Sequence, residues 1–118
     1  MRDLEEAISL ARQAVDGVPE GHPRLTGYLN SLSRMLRKRY KRTGRMKDLE
    51  EAIHKAEQGV DMTPKGHLNL PIWINNPSNL LGDRFERTGS TGDLEKAISK
   101  TEQVVDLCLK TTYTEQPA

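Results

Sequence analysis

A chain of 118 residues is one domain at most. Its hydrophobic fraction of 35% lies below the ~45–50% of ordinary globular chains and its charged fraction of 30% above the usual ~25%, a balance that suits helices burying one stripe rather than a thick single core. The net charge of +1 excludes a global field drawing the chain to nucleic acid or membrane. A single cysteine, Cys108, excludes an internal disulfide framework and fits a reducing compartment. It stands among Val104, Val105, Leu107 and Leu109, where a buried, inert thiol is expected rather than a nucleophile.

No apolar run approaches the ~20 residues that span a bilayer. Arg2 is followed by Asp3, Glu5 and Glu6 instead of an apolar stretch, so a secretory leader is not expected. The expectation is a soluble, cytoplasmic protein.

In chain order, residues 3–18 predict a helix with Leu4, Ala7, Ile8, Ala11 and Val15 on one stripe. Asp3 and Glu6 have capping-box spacing at its start, as Asp48 and Glu51 do later (Asp93 with Lys96 loses the reciprocal half), and acids there suit the helix dipole. The linker Pro19-Glu20-Gly21-His22-Pro23 closes it. Residues 23–43 predict a longer helix bearing Tyr28, Leu29, Leu32, Met35, Leu36 and Tyr40, ended by Thr43-Gly44 with Gly44 suited to a left-handed cap.

Next comes Asp48-Leu49-Glu50-Glu51-Ala52-Ile53, a hexad that matches Asp3-Leu4-Glu5-Glu6-Ala7-Ile8 and returns as Asp93-Leu94-Glu95-Lys96-Ala97-Ile98. The copies start at 3, 48 and 93, a spacing of 45 residues each time, and a fixed period in this range is the signature of stacked helical repeats. Pro64-Lys65-Gly66-His67 repeats the first linker, and Arg87-Thr88-Gly89 repeats Arg42-Thr43-Gly44. The third copy of the hexad has Leu109 where Pro19 and Pro64 stand, so its helix is expected to run longer.

Pro77 breaks the pattern, standing where the earlier unit has Leu32. Asn76-Pro77 reads as a helix start, which predicts a firm helix only over 77–88 and a separate turn or irregular segment over 68–75. A kinked continuous helix is the alternative, at about 3 kcal/mol for a mid-helix proline.

These residues resemble the tetratricopeptide repeat family, in which an A helix pairs with a B helix carrying alanine, a small residue and proline. The A helix offers Leu29, Leu32, Ser33 (where the family usually has glycine) and Met35–Leu36; Ala52, Ala56, Gly59 and Pro64 match the B helix, as do Ala7, Ala11, Ala14 and Pro19. The period exceeds the usual ~34 residues, and the pattern looks like a long-repeat variant found in tandem arrays of large fungal proteins. The resemblance implies an all-α fold of antiparallel helix-turn-helix repeats, stacked as a short α-solenoid of about five helices.

It divides residues 1–110 into an orphan B helix (3–18), an A–B pair (23–64) and a second A–B pair (68–110), with a disordered tail over 111–118. A fragment of a longer array, a degenerate short product and a module completed by self-association all fit that division.

The implied function is a non-catalytic protein-interaction scaffold that needs no cofactor, with a protein or peptide held in a groove lined by the A helices. By position the groove residues are Asn30, Arg34, Arg37, Lys38 and Lys41 on the first A helix, and Asn75, Asn79, Asp83 and Glu86 on the second. Asparagine suits such a groove because one amide both donates to and accepts from a peptide backbone. The other reading of these residues is a solvated helix face.

Residues 34–47 carry eight Lys and Arg and no acid. Acidic peptides or nucleic-acid phosphates are the alternative partners of such a segment, although the aromatic interleaving that stacks bases is missing. Lys38 and Lys41 are in phase with Asp83 and Glu86, so neutralisation between neighbouring A helices competes with ligand binding. His22 and His67 recur in one linker context, which points to loop packing or capping, and no metal-ligand spacing is present. No phosphate-binding loop or nucleophile elbow occurs. Trp73 repeats the position of Tyr28 as a packing anchor or a groove contact; Phe85 repeats Tyr40 and is expected in the core.

Overall fold

The computed structural model describes residues 2–115, and among them five helices follow one another: α1 (Arg2–Gly17), α2 (Leu25–Thr43), α3 (Met46–Asp61), α4 (Leu70–Thr88) and α5 (Thr91–Glu115). α2 packs most extensively on α3 and α4 on α5, while α1 against α2 and α3 against α4 join these pairs into a stack. α2 also touches α4, whereas among the described residues α1, α3 and α5 make no comparable contact with one another. The even-numbered helices therefore form the closer-packed layer, on the inner side of the stack. The fold is an all-α helical repeat.

The apolar stripes read from the sequence meet in one core. Leu32, Leu36, Leu49, Ala52, Ile53, Ala56, Leu80 and Leu81 are buried together, joined by Ile8 from α1 and Ala97 from α5. A buried leucine contributes roughly 1.5–3 kcal/mol, so the row formed by Leu32, Leu36 and Leu49 is a principal source of cohesion. Two hydroxyls repeat within it. Ser33 Oγ donates to the Ala52 carbonyl at 2.8 Å, and Ser78 Oγ to the Ala97 carbonyl at 3.0 Å.

Both turns inside the pairs end on a left-handed glycine. Gly44 (φ 74°) and Gly89 (φ 75°) each donate their N–H back to the preceding helix, to the Tyr40 and Phe85 carbonyls at 2.7 Å. A side chain at that φ would be strained.

The proline expectation is corrected. α4 is continuous from Leu70, with Pro71 in its first turn, where the missing N–H is harmless, and Pro77 in its interior. Leu70, Ile74, Pro77, Ser78 and Leu81 are all buried, so one packed face runs through the proline. Breaking the helix there would expose that face, which outweighs a cost of about 3 kcal/mol. Asn76 is accordingly no cap; its amide is engaged by α2.

At the second and third hexads the capping reading is also corrected. Asp48 and Asp93 lie inside their helices and turn back to an arginine of the preceding one, while Glu51 accepts from Arg12 Nη2 of α1 at 2.9 Å. The linker histidines bond the backbone just ahead of α2 and α4. His22 Nδ1 accepts the Arg24 N–H and His67 Nδ1 the Asn69 N–H, both at 3.1 Å.

α5 extends to Glu115, five residues into the segment expected as a tail; the expected disorder of 116–118 lies outside the described residues. Cys108 is exposed rather than buried, because the outer side of α5 carries no further layer among the described residues. Phe85 is half-buried, at the turn end of the pair.

Candidate functional site: the inner helix face

Two kinds of arginine organise the face formed by α2 and α4. The first ties each inner helix to its own partner. Arg39 Nε and Nη2 donate to the two Asp48 carboxylate oxygens at 3.0 and 2.9 Å, and Arg84 does the same to Asp93 at 2.9 and 2.9 Å. Both bridges span nine residues, and the second repeats the first at the 45-residue period. Only 7% of the Asp48 and 9% of the Asp93 side chain is accessible, so each carboxylate depends on its fork of donors.

The hydrogen bond from Arg84 holds the Asp93 carboxyl below the ordinary aspartate range, with burial acting against it. The guanidiniums of Arg39 and Arg84 are raised by the same bonds.

The second kind joins α2 to α4. Arg37 Nε donates to Asp83 Oδ2 at 2.6 Å and its Nη2 to Oδ1 at 3.2 Å; Asn76 Nδ2 donates to Asn30 Oδ1 at 2.8 Å and to Ser33 Oγ at 3.3 Å. Arg87 Nη1 closes the row on the Gly44 carbonyl at 3.1 Å. Asp83 thus meets Arg37 rather than the in-phase Lys38. Arg37–Asp83 and Asn30–Asn76 both join residues 46 apart, one more than the sequence period, which is why Asp83 misses its in-phase residue.

Of the nine expected groove residues, Asn30, Arg37 and Asp83 are engaged in holding α2 against α4. Arg34, Lys38, Lys41, Asn75, Asn79 and Glu86 are exposed. Lys41 and Glu86 border a shallow hollow of about 220 Å³ with Tyr40, Asp83 and Arg87. Trp73 lies elsewhere, over the linkers. Its ring centroid is 5.0 Å from that of His67, and both line a cleft of about 300 Å³ with His22, Thr26 and Met62.

Sequence reasoning gave none of Asn76, Arg39, Arg84 and Arg87 a part in joining the helices. The signal for two of them was present, since an arginine precedes each hexad aspartate by nine residues in the second and third copies. Among the described residues no helix is long and apolar enough to cross a membrane, and no group of His, Cys, Asp and Glu is arranged to hold a metal ion.

Paired antiparallel helices repeated at a fixed interval, with one layer lining a shared face, define a helical-repeat protein. The profile of the tetratricopeptide repeat family matches residues 25–60, which cover α2 and all but the last residue of α3. That helix pair is a tetratricopeptide repeat. No curated protein and no solved structure matches the chain. Tetratricopeptide repeats are generally protein-interaction scaffolds.

Proposed function

We propose that the chain is a non-catalytic, cytoplasmic scaffold that holds an acidic segment of a partner protein against α2 and α4. The observation that carries this reading is the division of cations on α2. Arg37 and Arg39 are taken up by Asp83 and Asp48, while Arg34, Lys38 and Lys41 remain exposed on the same helix. The face therefore keeps positive charge after its internal pairs are satisfied, with Asn75 and Asn79 of α4 beside it to bond a peptide backbone. The asparagine-to-asparagine bond and the Arg37–Asp83 bridge hold both helices in place before any partner arrives, which lowers the ordering cost of binding.

Selection from a displayed random-peptide library against the full chain tests this. Enrichment of Asp- and Glu-rich peptides that is lost in an Arg34→Glu/Lys41→Glu variant supports it. Enrichment of neutral or basic peptides, or acidic ones indifferent to the substitutions, contradicts it.

A further inference from the structure

The 45-residue period places a second, emptier groove beside the first. Between α1 and α2 lies a hollow of about 320 Å³ lined by Ala7, Leu10, Ala11, Tyr28, Ser31 and Met35. One period later the equivalent positions are Ala52, Lys55, Ala56, Trp73, Asn76 and Leu80, and there α2 covers the groove. Ala52 and Leu80 are each 0% exposed and Ala56 3%, whereas Leu10 in the first groove is 64% exposed.

Three contacts fix α2 in the covered groove: Ser33 Oγ on the Ala52 carbonyl, Arg39 on Asp48, and Arg37 on Asp83. The first two recur between α4 and α5. Their counterparts at the open groove are the Ala7 carbonyl, the exposed Asp3 carboxylate and the exposed Lys38. Among the described residues no guanidinium reaches Asp3 as Arg39 reaches Asp48.

We infer that this groove is a docking site for a separate amphipathic helix of defined chemistry. Its apolar stripe carries a serine for the Ala7 carbonyl and, six residues later, an arginine for Asp3. The residue four after the serine must be acidic, because Lys38 stands where the covered groove has Asp83, which inverts the charge required. A second copy of the chain does not supply this helix. The corresponding faces of α2 and α4, including Leu29, Leu32, Ile74 and Leu81, are buried against their own partners. The site shares Lys38 with the acidic-segment face proposed above but lies over α1 and α2 rather than α2 and α4, and its test uses neither Arg34 nor Lys41.

Two dye-labelled synthetic peptides serve as probes for the full chain: the α2 sequence, residues 25–43, and the same peptide with Arg37→Glu. Fluorescence anisotropy at physiological salt is expected to show the Glu peptide binding at least about threefold more tightly. Attraction to the acids of α1 alone would favour the more basic native peptide, so the order of affinities is diagnostic. Lys38→Glu in the chain reverses that order. Asp3→Asn weakens the Glu peptide by a similar factor, yet leaves a Glu peptide that also carries Arg39→Gln unchanged. Absence of saturable binding, a tighter native peptide on the unmodified chain, or indifference to both chain substitutions overturns the assignment. Far-ultraviolet circular dichroism of each variant confirms that the exposed substitutions leave the helices formed.

Discussion

Asp48→Ala removes both acceptors of the Arg39 fork and is expected to be among the most damaging single changes away from the apolar core. The carboxylate is 7% and the guanidinium 17% exposed, and the two bonds are 3.0 and 2.9 Å long. Removing one partner of a fully buried pair costs about 3–5 kcal/mol. Arg39 retains enough access to recover part of its hydration, so the expected loss is about 2–3 kcal/mol, in line with lost bonds to a charged group.

Asp3→Ala is the matched control. It removes an acid from the same place at a helix start, and hence a comparable dipole interaction of about 0.3–1 kcal/mol, but no comparable arginine bridge among the described residues. Urea unfolding followed at 222 nm should therefore separate the two variants by about 1 M in midpoint, for a slope of about 1–3 kcal/mol/M, and thermal melts by about 8 °C. Equal midpoints would refute the claim that the bridge, rather than the helix-start charge, is what the hexad aspartate supplies.

Further expectations follow from the same geometry. The Asp93 carboxyl is held below its ordinary value by Arg84, so its contribution is fully present above the unfolded value of about 3.9 and is lost as pH falls through the lower folded value. Acid titration of urea midpoints should show a loss below pH about 4 that Asp93→Asn flattens. Gly59→Ala should stabilise by about 0.5–1 kcal/mol, since alanine is the better helix former; its new Cβ would meet Leu29 Cβ at 3.7 Å and Thr26 at 3.8 Å, which is ordinary contact. A lower melting temperature would show that α2 cannot accommodate it. Pro77→Ala restores a backbone donor in mid-helix, worth about 3 kcal/mol, and loses about two buried methylenes at ~0.8 kcal/mol each. The net gain of about 1 kcal/mol is measurable by thermal denaturation, and a loss would mean that the proline ring packs better than a regular helix could.

The repeat was legible in residues because a hexad at fixed spacing and a paired Pro-x-Gly-His linker survive comparison by eye. The helix order and the left-handed glycines at 44 and 89 followed from it. Pro77 misled because local preference for a helix start was weighed without the buried row Ile74, Ser78 and Leu81 that holds the helix together across it. The hexad acids misled in a similar way. A carboxylate in a first turn satisfies both a capping rule and an interhelix bridge, and only the placement of Arg39 and Arg84 decides between them.

The inner face was half legible. Position along the helix identified Arg37 and Asp83 as neighbours of the groove. Their actual pairing depends on the one-residue offset between stacked helices, which no sequence period contains. Cys108 was misplaced for a further reason: an apolar stretch predicts burial only where another layer covers it.

Everything proposed for the inner face rests on α2 and α4 standing side by side as successive inner helices. A charge-swap cycle on Arg37 and Asp83 measures this. Each of Arg37→Asp and Asp83→Arg alone places like charges together and should cost about 1–2 kcal/mol by urea unfolding, given side chains 30% and 12% exposed. The double swap should recover most of that loss, with a coupling of at least about 1 kcal/mol. Strictly additive losses would contradict the stacked arrangement.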